Sequence, residues 1–174
     1  MARPAQILLM ALVYALGVVV AVEAGATLDV GHVTLAFVVF LPVALTVHFA
    51  NEYADYETDL LADRTPFSGG SGALSRTGLS RRLARRATVW SAVVSVVAVA
   101  AAFTGGVLSL AEVGLLALVG LLGVEYSLPP LSLAWRGVGE VDNAVLGGLL
   151  LPGYGVLAAS GSLGVTDLLV FVPF

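Results

Sequence analysis

The sequence predicts an all-α fold, a polytopic transmembrane helical bundle with five complete spans and the start of a sixth. Three observations predict it. The 174 residues are 59% hydrophobic and only 11% charged, with a mean hydropathy of +0.99, where a soluble domain is about half apolar and about a quarter charged. Uncharged stretches of spanning length recur along the chain. All eight basic residues are arginines, and they fall on one side of an alternating topology. A net charge of −4 argues against a nucleic-acid partner, and the absence of cysteine excludes a disulfide scaffold.

The elements follow in order. Pro4 to Val22, Val33 to Asn51, Ala87 to Ala111 and Asn143 to Thr166 each lack a charged residue. Each meets the requirement of about 20 apolar residues for crossing a bilayer as a helix, whose backbone groups are satisfied within the segment. The many valines would weaken a helix in water, but in lipid backbone satisfaction decides. A fifth run, Val113 to Val124, is flanked by Glu112 and Glu125 and spans only if both carboxylates lie at the interfaces. The first run has a long apolar core and no strongly basic leader, unlike a cleaved signal peptide. Leu168 to Phe174 begins another apolar run. The expectation is one transmembrane domain over residues 1–174 that is a piece of a longer protein.

With five spans, Arg3, the 52–86 loop and the 127–142 loop share a face, and that face carries every arginine. The positive-inside rule makes it cytoplasmic, in a multi-pass plasma-membrane protein. Arg81, Arg82, Arg85 and Arg86 form a basic stretch before the third span and are read as topology determinants meeting anionic headgroups.

The chemistry-bearing residues lie on the same face. Asn51, Asp55 and Asp59 are spaced four apart at the end of the second span, a spacing that keeps them on one helical stripe. Aligned carboxylates repel unless a cation lies between them, and an oxygen-only set suits magnesium, which completes its shell with water and substrate phosphate. Solvated acids at a helix exit are the plainer alternative, but Asn51 lies within the last turn of an apolar span, where polar side chains are costly. A calcium-loop reading fails because residue 60 is Leu where Gly is needed. The loop that follows, Asp63-Arg64-Thr65-Pro66-Phe67-Ser68-Gly69-Gly70-Ser71-Gly72, offers a guanidinium and a small-residue run suited to an anion. His48, one turn before Asn51, is read as a packed histidine facing away from Asp55. Glu23 and Asp29 are read as interfacial. Glu125 is either interfacial or an orienter of an acceptor. Gly147-Gly148 and Gly153-x-Gly155 suggest close helix packing, and Pro152 a kink.

The N-x3-D-x3-D series followed by D-R-T-P-F-S-G-G-S-G resembles the first aspartate-rich motif of the UbiA-type intramembrane prenyltransferases. The form Asn51-Glu52-Tyr53-Ala54-Asp55-Tyr56 is most similar to the branch that prenylates dihydroxynaphthoate in menaquinone synthesis. Tyr126-Ser127-Leu128-Pro129-Pro130 through Arg136-Gly137-Val138-Gly139-Glu140 resembles the family's loop after the fourth helix. The resemblance covers roughly residues 45 to 155. It implies a bundle of nine spans that transfers a polyprenyl group from its diphosphate to an aromatic acceptor within the lipid bilayer. Asn51, Asp55 and Asp59 would then hold Mg2+, with Asp55 and Asp59 catalytic. Arg64, Ser68 and Arg136 would bind the diphosphate. Tyr126 and Ser127 would lie near the allylic cation or the acceptor. The family's second aspartate-rich motif is missing from these residues, so the 174-residue piece by itself is expected to be inactive. A glycerol-phosphate acceptor in lipid synthesis would use the same first motif. A transporter or non-catalytic helical protein is the rival of another class, but a transporter would place its ionisable residues at the bilayer midplane.

Overall fold

The computed structural model describes residues 4–58, 74 and 77–172. Among them there are helices and turns and no strand. Helix α1 is Pro4–Glu23, α2 is Val30–Ala54, α3 is Arg81–Thr104 and α4 is Leu110–Glu125. A short 3-10 turn, Leu133–Arg136, leads to α5, Gly139–Ser160. A one-turn helix α6, Val165–Leu169, follows. Helices α1, α2, α3 and α5 are long and apolar enough to cross a membrane.

Three boundaries differ from the sequence expectation. Helix α3 begins at Arg81, so the basic stretch is its first turns and not a separate segment. The uncharged run to Ala111 is broken after Thr104, where Gly106 turns the chain at φ 72°. Helix α4 has 16 residues, fewer than a full span requires, and Glu112 lies in its first turn. The Glu112 carboxylate is 3% exposed and completes a capping box. One oxygen accepts from Ser109 N–H at 2.7 Å and Ser109 Oγ at 2.8 Å, and the other lies 2.8 Å from His32 Nε2. Asp29, read as merely interfacial, caps α2 by accepting from the His32 N–H at 3.0 Å.

The helices alternate in direction. His32–Glu112 ties α2 to α4 at one end, and contacts of α2 with α3 and with the segment after α4 tie the other. Helix α2 packs most extensively along α3, and α1 along the second half of α5. Between α2 and α3 the Thr46 and Ser95 hydroxyls lie 3.2 Å apart, next to the carbonyls of Pro42 and Ser91 in their own helices. Between α1 and α5 the backbones touch. A Cβ on Gly17 would collide with the Pro152 carbonyl, and one on Gly155 with the carbonyl of Tyr14. Gly155 therefore packs as the sequence suggested. Gly147 and Gly148 do not, since a Cβ on either would meet open space. A π-turn over Leu146–Leu150 precedes Pro152.

The core centres on four aromatic rings. Tyr14 lies 5.2 Å from Phe37 and 5.6 Å from Tyr154, and Phe40 lies 5.9 Å from Phe37 and 6.3 Å from Tyr154. Both tyrosine hydroxyls donate to α2 carbonyls, Tyr14 to Val33 at 2.9 Å and Tyr154 to Ala36 at 3.0 Å, as buried phenols require. The outward faces are apolar: Leu8, Leu12 and Val19 on α1 and Trp90, Val93 and Val97 on α3 are exposed. Such a surface is compatible with a surrounding bilayer.

Candidate functional site: an amphipathic cavity at the arginine-bearing end

Helices α1, α2, α4 and α5 line an open cavity of about 470 Å³, within the range of small-molecule sites. Its wall on α2 is a single stripe, Phe40, Ala44, Val47, His48, Asn51 and Asp55. The stripe divides by polarity along its length. Asn51 and Asp55 share one end with Gln6 of α1, Tyr126 after α4 and Asn143 of α5, whereas Val13, Val119 and Leu151 line the other with Phe40 and Ala44.

Local sequence explains this placement. Asn51 and Asp55 are one turn apart, and Asp55 is the C-cap of α2, its N–H bonded to the Asn51 carbonyl at 2.9 Å. The end of α2 is secured by Arg81. Its Nε–H donates to the Tyr53 carbonyl at 3.0 Å, its Nη1 to Glu57 Oε1 at 2.9 Å, and its guanidinium lies 4.3 Å above the Tyr53 ring. A cation on the last carbonyls of a helix offsets the negative end of the helix dipole. Gly123 lets α4 approach Val47, and Gly139 brings the start of α5 against the Tyr126 ring, 2.9 Å from a would-be Cβ. The π-turn contributes Leu146 and Gly147 to the wall.

The expected site residues separate into three groups. Asn51, Asp55 and Tyr126 line the cavity together. Ser127 is 4% exposed and lies behind Asn51, donating to its Oδ1 at 2.8 Å. Arg136 is exposed and donates to the Pro130 carbonyl at 3.0 Å, apart from the cavity wall. Asp59, Arg64 and Ser68 lie outside the described residues. Glu125 accepts the Leu131 N–H at 2.8 Å, a bond that closes the turn after α4. The expectation that His48 faces away from Asp55 is wrong. Seven residues are nearly two whole turns, and both side chains reach the same cavity. Gln6 and Asn143 were not singled out in the sequence; each is a polar residue at a span's edge, the signal that could have found them.

Among the described residues no three His, Cys, Asp or Glu side chains converge. The donors on the wall are nonetheless oxygens of the kind a hard cation takes, the Asn51 amide and the Asp55 carboxylate one turn apart. Ser127 occupies one lone pair of Asn51 Oδ1, and a carbonyl-type oxygen has a second. The chain matches no known family, no curated protein and no solved structure.

Proposed function

We propose that the protein is a membrane-embedded, magnesium-dependent prenyltransferase that transfers a polyprenyl group from its diphosphate to an aromatic quinone precursor. In this reading α4 completes a fifth span, with Glu112 and Glu125 at the interfaces, and the run that starts at Leu168 begins a sixth. The arginine-bearing face is cytoplasmic. The observation that carries the proposal is the polarity of the cavity, with amide, carboxylate, phenol and imidazole groups toward the arginine-bearing end and an apolar stretch from Val47 to Phe40 beyond them. An amphiphile with an anionic head and a hydrocarbon tail matches both halves.

The residues have distinct tasks. Asn51 and Asp55, with Asp59 from the following segment, would hold Mg2+, which supplies positive charge to the diphosphate as it leaves. Arg64, Ser68 and Arg136 would bind the diphosphate. Tyr126 presents an aromatic ring to the wall where the allylic carbon lies, and a ring face stabilises a nearby cation. Ser127 holds the Asn51 amide in place. The apolar walls exclude the water that would quench the cation. The bond between the allylic carbon and the diphosphate oxygen breaks, a bond to the acceptor ring forms, and the ring loses a proton.

The test is transfer from labelled prenyl diphosphate to a dihydroxynaphthoate-type acceptor, using protein from the complete reading frame in nanodiscs. Turnover that requires Mg2+ and is lost in Asp55→Asn, with membrane insertion intact, supports the assignment. Unchanged turnover in Asp55→Asn overturns it.

A further inference from the structure

On α2, Phe40 is the cavity-lining residue farthest from Asp55. Phe40 is 2% exposed and packs on Tyr154, itself 1% exposed, and on Phe37. The Tyr154 hydroxyl is bonded to the Ala36 carbonyl one turn before Phe40, and Tyr14, bonded to Val33, completes the cluster. Two tyrosines anchored to the α2 backbone and a ring wedged against them leave Phe40 little freedom to swing aside. At the other end the polar atoms of Asn51 mark where a charged head must stop.

We propose that Phe40 is the stop that limits tail length, and that the stretch of cavity between Phe40 and Asn51 takes three to four isoprene units. Phe40 and Asn51 are eleven residues apart on one helix, about 16 Å at 1.5 Å per residue. An extended isoprene unit contributes four chain bonds, about 5 Å with carbon–carbon bonds of about 1.5 Å. Three units fill the distance, and a fourth is accommodated when the head rides up toward Asp55. Ala44, one turn nearer the polar end than Phe40, also lines the cavity, so a large side chain there would shorten the space by about 6 Å, one isoprene unit. The inference rests on the prenyl-diphosphate reading for the identity of the head and on the cavity alone for the length.

The experiment measures binding of geranyl, farnesyl, geranylgeranyl and octaprenyl diphosphates, and of the corresponding alcohols, to protein from the complete reading frame in nanodiscs with Mg2+. In the wild type, affinity is expected to rise at least several-fold from geranyl to farnesyl or geranylgeranyl and to level or fall at octaprenyl. Phe40→Ala should move the optimum up by one unit and Ala44→Phe down by one. The opposed pair protects the test against a variant that fails to fold, since the remaining folded variant then decides the outcome. An affinity that climbs through octaprenyl in the wild type, or an optimum unmoved in a folded variant, overturns it. If the alcohols follow the predicted lengths while the diphosphate adds no Mg2+-dependent affinity, the length limit stands and the prenyl-diphosphate reading fails. Diphosphates that bind more tightly than alcohols with no length optimum give the converse.

Discussion

The Ser127 hydroxyl donates to Asn51 Oδ1 at 2.8 Å, joining two segments 76 residues apart in the chain. Asn51 faces the cavity and Ser127 is buried behind it. The hydroxyl therefore fixes which way the amide points and leaves its remaining lone pair and its N–H groups for the site. Ser127→Ala removes the donor and frees the amide to rotate. The expected result is a several-fold rise in the Mg2+ concentration for half-maximal turnover. The stability cost should be small, about 1 kcal/mol for one lost hydrogen bond. Metal titration beside thermal unfolding distinguishes this from general loosening, which would lower the melting temperature without moving the Mg2+ midpoint.

Arg81 acts on the same end of α2 from α3. Its bond to the Tyr53 carbonyl and its stacking on the Tyr53 ring should matter more than its ion pair, because Glu57 is 75% exposed and exposed pairs contribute between about 0 and 1 kcal/mol. Glu57→Gln is expected to leave stability within about 0.5 kcal/mol of the wild type. Arg81→Met should cost more, about 1–2 kcal/mol, from the lost carbonyl bond and cation–π contact together. Equal effects of the two substitutions in a detergent-unfolding series would sink this ranking.

The α1–α5 contact yields a contrast between glycines. Gly155→Ala would drive a methyl group into the Tyr14 carbonyl, backbone that cannot swing away. Overpacking of this kind costs about 1–3 kcal/mol or more. Gly148→Ala meets no atom within 4 Å and should be neutral or stabilising by up to about 1 kcal/mol, as the helix gains propensity. Gly147→Ala should be equally stable but should narrow the cavity, whose wall it forms, and weaken binding of the apolar tail. The three variants are compared by thermal unfolding and by ligand affinity in the same nanodiscs.

How far the sequence anticipated these features depends on the kind of signal. The four long apolar stretches were legible because lipid imposes a length and excludes charge, a constraint written residue by residue. Asn51 and Asp55 were legible because a helical repeat places them on one stripe. The same arithmetic applied with care would have placed His48 there too. The end of α3 was less so, since Gly105-Gly106 are uncharged and only their turn geometry interrupts the run. Tertiary partners were not legible at all. Nothing local to Glu112 says that it meets His32, 80 residues away, or that Ser127 would support Asn51 instead of facing a substrate.

That distant pair carries the last prediction. Glu112 sits at the end of the bundle opposite the arginines, and its two oxygens serve Ser109 N–H, Ser109 Oγ and His32 Nε2. Truncation to Ala would leave the buried start of α4 uncapped and strand the His32 ring, so Glu112→Ala should destabilise by about 2–4 kcal/mol, combining a lost cap with orphaned polar groups. Glu112→Gln keeps the shape, and its side-chain oxygen can accept from Ser109 while its NH2 faces an unprotonated ring nitrogen of His32. It should recover most of that loss. Because α4 and α2 run from this end to the cavity, a global loosening would appear in both stability and binding. A local capping role predicts lower stability with an unchanged Mg2+ midpoint and unchanged tail-length optimum in the surviving folded fraction. A shift of either site property in Glu112→Gln, whose fold is retained, would falsify the separation of the two ends of the bundle.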